Sequence, residues 1–116
     1  MKNILVSKQK EYYFEEHLFL THEENGKKTY YLDGCVVDKE LGNATYKRLI
    51  NTYGKDYYKV TITPITVENR QQIIDKYLSR YDEYADYIDD PGQWRQATAR
   101  NEMIRACERA LLKCVK

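Results

Sequence analysis

Asn25-Gly26 stands between two segments of alternating hydrophobicity, and no other feature restricts the fold as much. Both residues tolerate a positive φ, which a two-residue turn between antiparallel strands requires. Upstream, Tyr12, Phe14, Leu18 and Leu20 share one parity, and Tyr13, Glu15, His17 and Thr21 share the other. Phe19 is out of step, and Glu16 interrupts the apolar parity, which allows a bulge there. Downstream, Tyr30, Leu32 and Val36 alternate with Thr29, Tyr31 and Asp33. The expectation is a hairpin, 11–21 paired with 29–37, with Ile4-Leu5-Val6 as a short extra strand at its edge. Residues 56–65 alternate again, with Tyr58, Val60 and Ile62 against Tyr57, Lys59, Thr61 and Thr63. They predict a third main strand, closed by Pro64, which has no N–H to donate to a ladder.

Elsewhere the period is helical. Leu41, Tyr46, Leu49, Ile50 and Tyr53 predict a short helix over 43–53, capped by Asn43 or Asp38 and ended by Gly54. From Thr66, which forms an imperfect capping box with Asn69, Val67, Ile74, Tyr81 and Ile88 recur every seven residues. Leu78 and Ala85 lie on the same face, so a helix is expected over 66–90. Asp90-Pro91-Gly92 ends it. Ala97, Ile104, Cys107, Leu111 and Cys114 then mark a second helix over 93–115. So short a turn makes the two antiparallel. The predicted architecture is α+β: an antiparallel sheet of three or four strands, a short helix, and a C-terminal antiparallel helical hairpin covering one side of the sheet. The 116 residues read as one domain, 1–116.

Several function classes are disfavoured by composition. The net charge is +1, which excludes binding nucleic acid by being basic throughout. No apolar run is long enough to span a membrane, and residues 1–8 lack the apolar core of a secretory leader. Three cysteines, Cys35, Cys107 and Cys114, are an odd number. Cys107 and Cys114 lie about 10 Å apart along one helix, too far for a disulfide. A reducing, cytoplasmic setting is expected, with the cysteines as small buried side chains. No P-loop, GxGxxG or GxSxG motif is present. Catalysis, cofactors and metals are not expected. Cys35 with His17 on the neighbouring strand would be the nucleophile if there were one. Asp82, Asp86, Asp89 and Asp90 are the nearest approach to a metal cluster, but they lack the glycine of a calcium loop.

The charge is unevenly spread. Residues 1–65 carry +1, residues 66–92 carry −4, and residues 93–116 carry +4. One reading is that two helices of opposite sign pair their charges across a shared seam, each pair contributing little. The other is that a face meets a partner. Tyr77, Tyr81 and Tyr84, interleaved with Asp82, Glu83, Asp86 and Asp90, form an acidic, tyrosine-rich patch on the first helix. The same tyrosines could instead widen that helix's apolar face. Negative charge with flat rings resembles the surface of a nucleic acid and suits a basic groove on another protein. On the second helix Arg95, Arg100, Arg105 and Arg109 step by five, five and four residues, and they are the alternative, a nucleic-acid contact. The helical hairpin could also dimerise.

The expected function is therefore stoichiometric protein binding without catalysis. Frequent Lys, Asn, Ile and Tyr are typical of AT-rich genomes, so the most specific version is a phage or mobile-element protein that inhibits a host protein handling nucleic acid. In these general features the chain is similar to anti-CRISPR proteins, although it carries no motif of a known family.

Overall fold

The computed structural model describes residues 3–51 and 59–115. Strands β1 (Ile4–Lys10), β2 (Tyr13–Glu24), β3 (Lys27–Leu32) and β4 (Cys35–Val37) lead into helix α1 (Lys39–Asn51). Strand β5 (Lys59–Pro64), helix α2 (Val67–Leu78), a 3-10 turn (Ala85–Tyr87) and helix α3 (Pro91–Cys114) follow. The fold is α+β, and its five strands form one antiparallel sheet in the order β4-β3-β2-β1-β5.

The hairpin forms at Asn25-Gly26, with φ of 53° and 78°. Two turn residues let pairing run up to Glu24 opposite Lys27 and Glu23 opposite Lys28, so the first strand extends three residues past its expected end. Opposite charges facing each other across a pair favour this register. The expected return strand, 29–37, is instead two strands. Asp33 and Gly34 adopt φ of 52° and 85° and make a second tight turn. Asp33 leaves the ladder because β2 holds it: its N–H donates to Leu18 O at 2.8 Å, and its Oδ1 accepts from Leu18 N at 2.9 Å.

The strand at Ile4-Leu5-Val6 lies between β2 and β5 rather than at an edge. No bulge forms at Glu16, which pairs in regular register with Ser7. Its side chain, only 3% exposed, is met by Lys76 Nζ at 2.6 Å, with Arg80 4.0 Å away.

Helices cover both faces of the sheet, not one. Leu5, Leu18, Leu20 and Tyr31 pack under α2 and α3 with Ile74, Ile104 and Leu111. Ile4, Val6, Phe19 and Tyr30 pack on the opposite face with Leu49 of α1. The apolar triplets 4–6 and 18–20 are thus buried on alternate sides, and Phe19 is out of step because it serves the α1 face.

Helix α1 starts at Lys39, four residues before the expected 43, because Asp38 Oδ1 accepts from Leu41 N at 2.7 Å. Gly42 lies inside the helix, where a Cβ would sit 3.1 Å from the Tyr30 ring; its absence lets α1 approach the sheet. The expected end of this helix at Tyr53 and Gly54, and the start of the third strand at 56–58, lie outside the described residues. Thr66 and Asn69 form both bonds of a capping box at the start of α2.

The expected helix 66–90 stops at Leu78, and residues 79–90 form an irregular segment with one 3-10 turn. The cause lies in α3. Asn101, 9% exposed, accepts from Asp82 N at 2.9 Å and donates through Nδ2 to Asp82 O at 2.8 Å. Both backbone groups that would continue the helix at Asp82 are taken by this one carboxamide. Asp90 caps α3, accepting from Gln93 N at 3.0 Å, and Pro91 opens it, two residues earlier than expected. Arg70 donates to Val115 O, and Tyr81 meets Arg105, so α2 and α3 run antiparallel as expected. Among the described residues no helix is long and apolar enough to cross a membrane.

Candidate functional site

The acidic tyrosine-rich patch divides once residues 79–90 leave the helix. Tyr77, still in α2, is 5% exposed and belongs to the core. Burial, with the Glu16 carboxylate nearby, pushes its hydroxyl far above the ordinary phenol value. Tyr81 is half-buried, and its ring lies 4.6 Å from the Arg105 guanidinium carbon, a cation–π contact. Asp82 is tied to Asn101 through its backbone and accepts from Tyr84 N at 2.9 Å through Oδ1. Asp90 is engaged as the cap of α3. Glu83, Tyr84 and Asp86 remain on the open surface, and Tyr87 joins them. Tyr84 and Tyr87 are 70% and 80% exposed, and their ring centroids stand 6.4 Å apart at a 49° tilt. Of the seven residues expected in the patch, the fold thus leaves three without a structural task.

The arginines are exposed but do not form a stripe. At about 100° per residue, Arg95, Arg100 and Arg105 point in three directions, and only Arg105 and Arg109 neighbour each other. Arg105 donates to Glu108 Oε2 at 2.9 Å while stacking on Tyr81.

Helices α2 and α3 pack side by side, yet charge pairing across their seam, one of the two readings of their opposite charge, does not occur among the described residues. Lys76 of α2 and Arg80 just beyond it turn to Glu16 on β2, and Arg70 of α2 donates to the Val115 carbonyl rather than to a carboxylate of α3. The described ion pair of α3 is its own Arg105–Glu108. What lies between residues 79–90 and α3 is instead a groove of about 850 Å³. Asp82, Glu83 and Asp86 line it from one side and Arg105 and Arg109, with Glu102 beside them, from the other, over small side chains at Ala85, Ala99 and Ala106. The two segments that the sequence separates by charge are therefore the two walls of one concavity.

On the other face of the sheet His17 is held by two carboxylates, with Nδ1 3.1 Å from Asp33 Oδ2 and Nε2 2.7 Å from Glu15 Oε1. Glu15 Oε2 accepts from Tyr13 at 3.1 Å. The hydrogen bond to Asp33 raises the imidazole's pKa above its ordinary value, outweighing burial. Both nitrogens are committed, so the ring has none to offer the Cys35 thiol. Cys35 is exposed; burial pushes Cys107 up to about 12 and Cys114 up to about 11. Asp82, Asp86, Asp89 and Asp90 do not converge: among the described residues no three side chains of His, Cys, Asp or Glu gather as metal ligands.

Sequence reasoning missed Asn101 and the pairing of His17 with Asp33. Each carries a local signal. Asn101 is a polar residue on the apolar stripe between Ala97 and Ile104, and Asp33-Gly34 is itself a tight-turn dipeptide. Comparison with protein families, curated proteins and solved structures finds no match to this chain.

Proposed function

We propose that this protein acts by stoichiometric binding to another protein, not by catalysis, and that the acidic turn over residues 83–87 anchors the contact. The observation that carries this reading is the exposed Tyr84–Tyr87 pair beside Glu83 and Asp86. Two large aromatic rings held out from a short, tethered turn supply contact area at low entropic cost, and tyrosine is a typical interface anchor. Unpaired carboxylates beside them favour a partner that is basic at the contact. The most specific form is an inhibitor that occupies a basic, nucleic-acid-binding channel, because the turn combines negative charge with flat groups that stack on arginine. A phage or mobile-element origin and a cytoplasmic setting belong to the same reading.

The test is affinity capture from a low-GC bacterial lysate with the intact chain, followed by mass spectrometry. A specific partner should be captured and then lost by the Tyr84→Ala/Tyr87→Ala variant, with the fold verified by circular dichroism. Retention of that partner by the double variant would overturn the assignment of the surface. Micromolar binding to generic duplex DNA with a steep salt dependence would instead favour the arginines of α3.

A further inference from the structure

The groove between residues 79–90 and α3 holds charges of both signs that the fold leaves unused. Glu83 and Asp86 line it from the irregular segment, and Glu102 and Arg109 line it from α3. All four are exposed, and none joins an ion pair among the described residues. Arg105, on the same wall, is already engaged by Glu108 and Tyr81. Charges of both signs left open in one concavity complement a ligand that carries both signs, whereas a purely acidic or purely basic ligand meets repulsion at part of the lining. The volume of about 850 Å³ falls within the range of sites that enclose a small molecule or short peptide. Ala99 and Ala106 line the α3 wall, and side chains this small permit close approach of a backbone. Thr98 lines the groove as well.

We infer that the groove takes an extended peptide segment of the partner protein, with a basic side chain at Glu83 and Asp86 and a carboxylate at Arg109. The inference rests on the protein-binding reading but not on the tyrosine pair. It divides the contact: basic where the partner meets Tyr84 and Tyr87, bipolar where its chain enters the groove.

The test is fluorescence anisotropy with labelled octapeptides added to the intact chain. One peptide carries two lysines at its N-terminal end and two glutamates at its C-terminal end; a second has the reverse order. A third carries lysines only and a fourth glutamates only. One bipolar peptide should bind at least about tenfold more tightly than either single-sign peptide, and should shift the amide resonances of Thr98 and Ala106. Arg109→Glu should abolish that preference, and Glu83→Arg/Arg109→Glu should transfer it to the reversed peptide. If the all-lysine peptide binds as tightly as both bipolar ones, the groove is merely acidic and the inference fails, while the reading of the tyrosine turn stands. If no peptide shifts the groove amides, the inference also fails. Bipolar binding that persists in Tyr84→Ala/Tyr87→Ala, with the protein partner still captured by that double variant, would sink the reading of the tyrosine turn alone.

Discussion

His17 sits between Asp33 and Glu15, and this placement makes its proton part of the fold. The hydrogen bond to Asp33 holds the imidazole's pKa above 6.5, its ordinary value in an unfolded chain. The protonated ring is therefore favoured by folding. Its stabilisation is complete below pH 6.5 and is lost as the pH rises through the higher folded value. Glu15 works in the opposite sense. Burial alone would raise its pKa, but hydrogen bonds from His17 and Tyr13 outweigh burial and lower it below 4.5. Its contribution is present above 4.5 and fades as acid protonates it. The clamp is strongest between these two titrations. Urea midpoints measured from about pH 5 to about pH 9, a range around the ordinary imidazole value and above the Glu15 titration, should fall on the alkaline side. His17→Gln should flatten that fall; an unchanged slope would show that the dependence originates elsewhere.

The elements are placed by a few polar groups that reach between them. Asn101 ends α2 by holding both backbone groups of Asp82. Asn101→Leu leaves the Asp82 N–H without its acceptor and the Asp82 C=O with only its bond from Ala85 N, and should cost about 1–3 kcal/mol in chemical denaturation. It should also raise hydrogen exchange across residues 79–90, since that segment has no helical ladder to fall back on. A loss below about 0.5 kcal/mol would mean that the segment is held by something else. Gly34 is the corresponding device where the sheet meets α3. It has φ +85°, and an added Cβ would lie 2.6 Å from Cys107 N and 2.7 Å from Ala106 C. Backbone cannot yield as a flexible side chain can. Gly34→Ala should therefore destabilise by about 3 kcal/mol or more, visible as a large drop in melting temperature. The same substitution at Gly26, where nothing lies within 4 Å, should cost less.

At the scale of the whole molecule, one sheet separates two layers with different tasks. The α1 face holds the His17 clamp near a small apolar cluster, and the α2/α3 face holds the larger core, the groove and the exposed tyrosine turn. Tyr84 and Tyr87 contribute little to either core. Tyr84→Ala/Tyr87→Ala should leave stability within about 0.5 kcal/mol of the parent, as expected for exposed side chains. Tyr77→Ala removes a buried ring and should cost about 3–5 kcal/mol. Equilibrium unfolding of both variants distinguishes the two classes of tyrosine. Equal losses would contradict the division of the patch into core and surface.

The sequence by itself determined the elements whose signals are local. Asn25-Gly26 and the alternation around it specify the first hairpin, because φ preference and side-chain parity are properties of neighbouring residues. Thr66 and Asn69 specify the start of α2 for the same reason, whereas Asp90-Pro91-Gly92, which reads as a turn ending a helix, opens α3 two residues before the expected start at 93. Charge arithmetic was also legible: residues 66–92 and 93–116 carry opposite charge, and residues 79–90 come to lie beside α3. Tertiary structure decided what each charged residue does. Seven-residue recurrence continues to Ile88, yet the helix ends at Leu78, and both backbone groups of Asp82 are bonded to Asn101, 19 residues further along the chain. Glu16 stays in register because Lys76 crosses from α2 to meet it. The charges of residues 79–90 and α3 face a shared groove instead of pairing, because the irregular segment holds its carboxylates away from the arginines. Each outcome depends on which distant polar group arrives, and no local periodicity encodes that.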